Sequence, residues 1–148
     1  MIRTLVLGLG NTLMGDDGVG VRVVEQLQGL DFGAEVVNGA TAGLSLLEKL
    51  NGYKRVVVVD AVDMGKAPGS VARFSAEELL GLPESQNFSL HEMGLVEVLK
   101  IGRSLNEDFD NLMVIGIQPK DLNQGEKLSP EVGEKISEVI ELIKKEVV

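Results

Sequence analysis

Apolar residues along this chain follow two alternating rhythms. The runs TLVLGLG and RVVVVDAV are continuously apolar, rich in Val and bounded by turn residues, which is how strands covered on both faces of a parallel sheet read. AEVVNGA, GSVARFSA and NLMVIGIQP are weaker examples of the same kind. Near the C-terminus Val132, Ile136, Val139, Ile140, Ile143 and Val147 recur at steps of three and four with Glu and Lys between them, the stripe of an amphipathic helix. Ser129 as N-cap and Pro130 at the first helical position mark its start, and Lys144 and Lys145 suit its negative end. The pattern predicts strands at 3–9, 34–38, 55–61, 70–75 and 112–117, and helices at 19–29, 44–51, 90–104 and from 130 onward. GLPESQNF, polar and irregular, reads as a surface loop.

Strands alternating with helices predict a single α/β domain over 1–148: a three-layer sandwich with a mostly parallel, twisted sheet of about five strands and helices on both faces. The segment 67–75 follows the strand at 55–61 too closely for a helical crossover, so the fourth strand is expected antiparallel at a sheet edge.

Composition narrows the function classes. Fourteen basic against 23 acidic side chains give a formal charge of -9, which repels polyanions and argues against a nucleic-acid partner. There is no cysteine, which removes disulfides, thiolate metal sites and a cysteine nucleophile together. MIRTLVLGLGN is too short for the apolar region and cleavage site of a signal peptide, and no run approaches the roughly 18 apolar residues of a membrane span. A soluble cytoplasmic protein is expected.

LGLGNTLMGDDGVG, residues 7–20, has the look of a phosphate loop. A dinucleotide fingerprint fails twice: Leu13 stands where the third glycine belongs, and the second strand ends in Asn38 instead of an acid. No Walker sequence occurs, and Asp16 and Asp17 would set negative charge against phosphate. One aspartate is explained by capping the following helix; two in succession leave one without that duty. Asp60 closes VVVVD at the carboxyl edge, where an open α/β sheet binds ligands, though an aspartate there also starts turns.

His91 is the only histidine, and the S-x-x-E spacing of Ser89 and Glu92 puts it in the first turn of a helix, whose positive end keeps the ring neutral. If Asp17, Asp60 and His91 converge, they form a mixed oxygen and nitrogen site for a borderline divalent ion such as nickel, zinc or cadmium, with open positions suited to metal-assisted hydrolysis. Serine catalysis lacks its G-x-S-x-G elbow, Ser45 being the nearest approximation, and the single histidine excludes an H-E-x-x-H zincin.

These blocks, in order, resemble the hydrogenase maturation proteases: LGLGNTLMGDDGVGVRVVEQL, GATAG, VVVVDAVDMGKAPGSV, SLHEMGLVEVL and IGIQPKDLNQGEKLSPEV. The resemblance covers nearly the whole chain. It implies an endopeptidase that removes the C-terminal extension of a [NiFe] hydrogenase large-subunit precursor after nickel insertion. It implies Asp17, Asp60 and His91 as the metal-binding and catalytic set, Asp17 serving as ligand or base. Nickel would arrive with the precursor, with zinc or cadmium substituting in vitro, and the enzyme would act as a monomer. Asn38, Gly39, Thr41 and Gly43 would contact substrate, GATAG being otherwise a glycine-favoured turn. Asn38 stands where the family commonly has an acid. A nickel-sensing or chaperone-like module that holds the ion without cutting is the rival reading.

Overall fold

A computed structural model describes residues 3–41, 43–82 and 94–147. Its sheet has five strands: β1 (Thr4–Leu9), β2 (Glu35–Ala40), β3 (Arg55–Ala61), β4 (Val71–Ser75) and β5 (Leu112–Ile117). They lie in the order β2-β1-β3-β5-β4, all parallel except β4, which pairs antiparallel with β5 at the edge. The helices are α1 (Val19–Leu27), α2 (Leu46–Lys49), α3 (Ala76–Leu80), α4 (Leu95–Ser104), α5 (Pro130–Gly133) and α6 (Ile136–Val147).

Alternation along the central strands builds a core on each face. Val6, Val57, Val59, Ile115 and Ile117 pack with Val19, Val23, Val24 and Leu27 of α1 and with Val132, Ile136, Val139 and Ile143 of α5 and α6. Leu5, Leu7, Val56, Val58 and Val114 pack on the opposite side with Leu46, Leu79, Val98 and Leu99 of α2, α3 and α4. Helices on both faces explain the continuous apolar runs, since the central residues of those strands are shielded from water on either side. Val56 to Val59 are each at most 1% exposed. Burying one such side chain is worth about 1.5–3 kcal/mol, so these four alone commit β3 to the centre.

The helix predicted from Pro130 is two helices. α5 stops at Gly133 and α6 starts at Ile136, so the apolar stripe continues across a break at Glu134 and Lys135; glycine weakens helix propagation at the break. Residues 44–51 form a 3₁₀ turn, Gly43–Ser45, followed by the single turn of α2. β2 runs past Asn38 to Ala40, with an irregularity in β1 opposite, between Gly8 and Leu9. α3 is an addition, begun by a capping box in which the Ser75 hydroxyl accepts from Glu78 N and the Glu78 carboxylate accepts from Ser75 N. The loop read at 81–88 and the helix start read at 90 fall mostly outside the described residues, which resume at Gly94, the N-cap of α4.

No helix among the described residues is long and apolar enough to cross a membrane. β1 lies between β2 and β3, and the crossovers on its two sides use opposite faces, α1 on one and α2 on the other. That is the switch point of an open α/β sheet, where the loops leaving the carboxyl ends part to form a crevice.

Candidate active site

The glycine-rich loop leaves β1 through Gly10, whose φ of +129° suits glycine and whose Cβ, if present, would lie 1.9 Å from the carbonyl oxygen of Asp17. A 3₁₀ turn, Gly15–Gly18, then leads into α1. Gly20, in the first turn of α1, has no room for a side chain: a Cβ would sit 2.1 Å from the Val59 carbonyl oxygen and 2.5 Å from that of Leu9. The start of α1 is thus pressed onto β1 and β3, one residue before Asp60. These glycines permit backbone to pack on backbone. The phosphate-loop likeness is explained by packing, and the turn that follows β1 is carried to the end of β3.

The two adjacent aspartates diverge completely. Asp16 is fully buried, and its carboxylate accepts hydrogen bonds from Lys120 N (2.9 Å), Asp121 N (2.9 Å), Ser129 N (2.7 Å) and the Ser129 hydroxyl (2.8 Å). Asp17 is 6% exposed, and its Oδ2 accepts from Asn11 N at 2.9 Å. The N-cap of α1 is Gly18, which brings no side chain to the task, so the capping explanation holds for neither acid as the sequence framed it. Ser129 is the N-cap of α5 by backbone position only, because its hydroxyl donates to Asp16.

Asp60 sits at the carboxyl end of β3, 7% exposed, where Ala61 N donates to its Oδ1 at 2.8 Å. Burial pushes its carboxyl well above the ordinary carboxylate range, the neighbouring Asp17 charge pushes it further, and the Ala61 N–H offsets this only in part. Asp17 thus lies within electrostatic reach of Asp60. His91, the third member, lies outside the described residues, as do Ser89 and Glu92. Among the described residues no group of three His, Cys, Asp or Glu side chains is assembled for a metal. The chemistry of the pair fits a cation: two buried carboxylates within electrostatic reach of each other would each be stabilised by a positive charge between them.

The GATAG segment borders the crevice beside β1. Asn38 is exposed, with its amide oxygen accepting from Ala40 N at 2.9 Å, and Ala40 has a φ of 43°. Gly39 is buried where a Cβ would meet the Leu7 and Leu9 side chains, so packing accounts for that glycine. Thr41 is exposed, and Gly43 has open space around it at a φ of +61°.

Sequence reasoning missed Gln118. Its side chain is 7% exposed, with Oε1 accepting from Met64 N (2.6 Å) and Lys66 N (3.3 Å) and Nε2 donating to Asp63 Oδ1 (3.1 Å). The signal was available: Gln118 follows the apolar strand MVIGI as Asp60 follows VVVV, a polar residue delivered to the same edge of the sheet.

Residues 21–146 match the family model of the hydrogenase maturation proteases (HycI). The chain is 37% identical over 142 residues to the hydrogenase expression/formation protein HupD of Thiocapsa roseopersicina, spanning 93% of this chain and 64% of that relative's length. It is 34% identical over 146 residues to the hydrogenase 2 maturation protease of Escherichia coli (strain K12), spanning 96% of this chain and 88% of the other. Among solved structures, the [NiFe] hydrogenase maturation protease HybD from Thermococcus kodakarensis superposes with a TM-score of 0.80 at 33% identity, covering 99% of this chain and 100% of that one.

Proposed function

The chain belongs to the hydrogenase maturation protease family, and from that premise we propose that it is the endopeptidase that removes the C-terminal extension of a [NiFe] hydrogenase large-subunit precursor once nickel has been inserted. Asp17 and Asp60 receive the nickel that the precursor carries, and His91 supplies the imidazole that completes the set. The observation that carries this reading is the buried Asp17 and Asp60 pair at the crevice formed by the ends of β1 and β3.

Burial first and the Asp17 charge second make Asp60 hold its proton above the ordinary carboxylate range when no metal is bound. A divalent ion replaces that proton and relieves the repulsion, because carboxylate ligands bind deprotonated. Precursor that lacks nickel has nothing to offer the pair in exchange. Selection by coordination follows: docking is favoured only for precursor already loaded. The same pair then stands beside the peptide bond to be cut, where Asp17 orients or deprotonates the attacking water and bound nickel polarises the scissile carbonyl. Gly43 and the exposed Asn38 and Thr41 border the path of the extension, Asn38 offering a neutral amide where a carboxylate would repel an acidic segment.

The test is incubation of the purified protein with precursor prepared with and without nickel, read by mass spectrometry. A mass loss from the C-terminus of the nickel-loaded precursor alone is the expected result. A stable complex with no mass loss would assign the chain to nickel sensing or chaperoning, and equal cutting of both precursors would remove nickel from recognition.

A further inference from the structure

The segment between β5 and α5, residues 118–129, touches the turn that carries Asp17 and the loop that follows Asp60 at the end of β3, and it does so through buried polar side chains. All four donors to the Asp16 carboxylate come from this segment, at Lys120, Asp121 and Ser129; none comes from the helix that Asp16 precedes in the chain. Backbone bonds reinforce the seam, with Asp16 N donating to Asp121 O (2.8 Å), Gly15 N to Gly125 O (2.8 Å) and Gly125 N to Leu13 O (2.8 Å). At its other end Gln118 holds the loop that leaves β3, through Met64 N, Lys66 N and Asp63. Gly69 N donates to Gln118 O and Gln118 N donates to Ser70 O, so that loop is fastened on both sides.

We infer that residues 118–129 are a brace that fixes the turn bearing Asp17 against the end of β3 that bears Asp60, with Asp16 and Gln118 as its positioning residues. The need for one follows from the site itself, since Asp17 is buried on the turn Gly15–Gly18, which is too short to hold its own place. Asp16 meets that need because a carboxylate accepting several N–H bonds is a strong fixed anchor, and it neighbours the ligand it positions. Gln118 does the equivalent for the end of β3 with a neutral amide, whose oxygen collects two N–H groups while its nitrogen is held by Asp63. Neither residue touches substrate in this account. The inference rests on Asp17 and Asp60 being the ligand pair, but its test does not depend on cleavage.

Asp16→Asn keeps the shape and puts an amide N–H among donors. Hydrogen exchange of the intact variant is expected to accelerate at least tenfold at the amides of Asn11 and Asp17, the first of which donates directly to the Asp17 carboxylate. The amides of β3 and α6 should keep their protection, and nickel affinity measured by calorimetry should fall at least tenfold. Gln118→Ala should loosen the amides of Met64 and Lys66 in the same selective way and also weaken nickel binding. Should Asp16→Asn not fold, Ser129→Ala removes one donor and is expected to give the same local pattern in weaker form. Unchanged protection at Asn11 and Asp17, acceleration spread evenly over the chain, or undiminished nickel affinity in a locally loosened variant would each overturn the brace. If the wild-type protein binds no nickel and cuts no precursor, the proposed function fails, while exchange at Asn11 and Asp17 still decides whether Asp16 fixes the turn.

Discussion

The two ends of the sheet treat buried acid in opposite ways. At the amino end Glu146 of α6 is 8% exposed and is met by two guanidinium groups, Arg55 at 3.1 Å and Arg73 at 2.7 Å. Glu35, at the start of β2, is paired with Arg3 (3.4 Å) and accepts from the Tyr53 hydroxyl. At the carboxyl end neither Asp16 nor Asp60 forms an ion pair with a described lysine or arginine. Asp16 is settled by neutral donors, whereas among the described residues Asp60 has one backbone N–H and the Asp17 charge for company. A chain that supplies two arginines to the buried Glu146 at one end, and none to Asp60 at the other, leaves a place for a cation from elsewhere. The buried acid of α6 has its cations built in, whereas Asp60 meets no described lysine or arginine.

Substitutions at the two ends should separate these roles. The largest expected effect is at the carboxyl end: Asp17→Asn should leave the fold intact and lower precursor cleavage by more than about a hundredfold, beyond what removing an outer partner of a metal ligand costs. Assay by mass spectrometry, with circular dichroism to verify folding, checks it; near-normal cleavage would break the comparison. At the amino end Glu146→Ala should cost about 1–2 kcal/mol in urea unfolding, below the roughly 3–5 kcal/mol of a fully buried pair because both arginines are nearly half exposed. Its cleavage rate should be unchanged at a temperature where it is folded.

Asp60→Asn should do the reverse, abolishing cleavage while raising the thermal midpoint of the metal-free protein. The sign follows from linkage. The folded carboxyl binds its proton more tightly than the unfolded one, so stability falls as pH rises from the ordinary carboxylate range through the raised folded value, and is lowest above it. The advantage of the Asn variant should therefore vanish at the acid end and grow through that window. The smallest effect is expected from Ser129→Ala, about 1 kcal/mol for one of four bonds to Asp16, measured by thermal unfolding.

Much of this arrangement was legible in residue order alone. β3 and β5 were read at 55–61 and 112–117, where they lie, because a strand buried on both faces writes itself as an unbroken apolar run. The antiparallel edge strand followed from a connection too short to cross over. Asp60 stood out because it closes an apolar strand, and Asp17 because two acids in succession exceed what one cap needs. The short helix α3 was missed although Ser75 and Glu78 carry the same S-x-x-E signal recognised at Ser89 and Glu92; five residues are too few for an apolar period to show. The break between α5 and α6 was hidden because the apolar stripe continues through it. Nothing local distinguishes Asp16 from Asp17, since the difference is made by donors more than 100 positions away. Long-range hydrogen bonds leave no period in a sequence.

The buried pair at the carboxyl end is expected to receive a divalent ion. Calorimetric titration of nickel into the wild-type protein, Asp17→Asn and Asp60→Asn tests it most directly, repeated across the pH window in which Asp60 gains its proton. One site is predicted in the wild type, weakening as pH falls and displacing protons into the buffer, with at least about a tenfold loss of affinity in each variant. Equal nickel affinity in all three proteins, with no proton released, would contradict it.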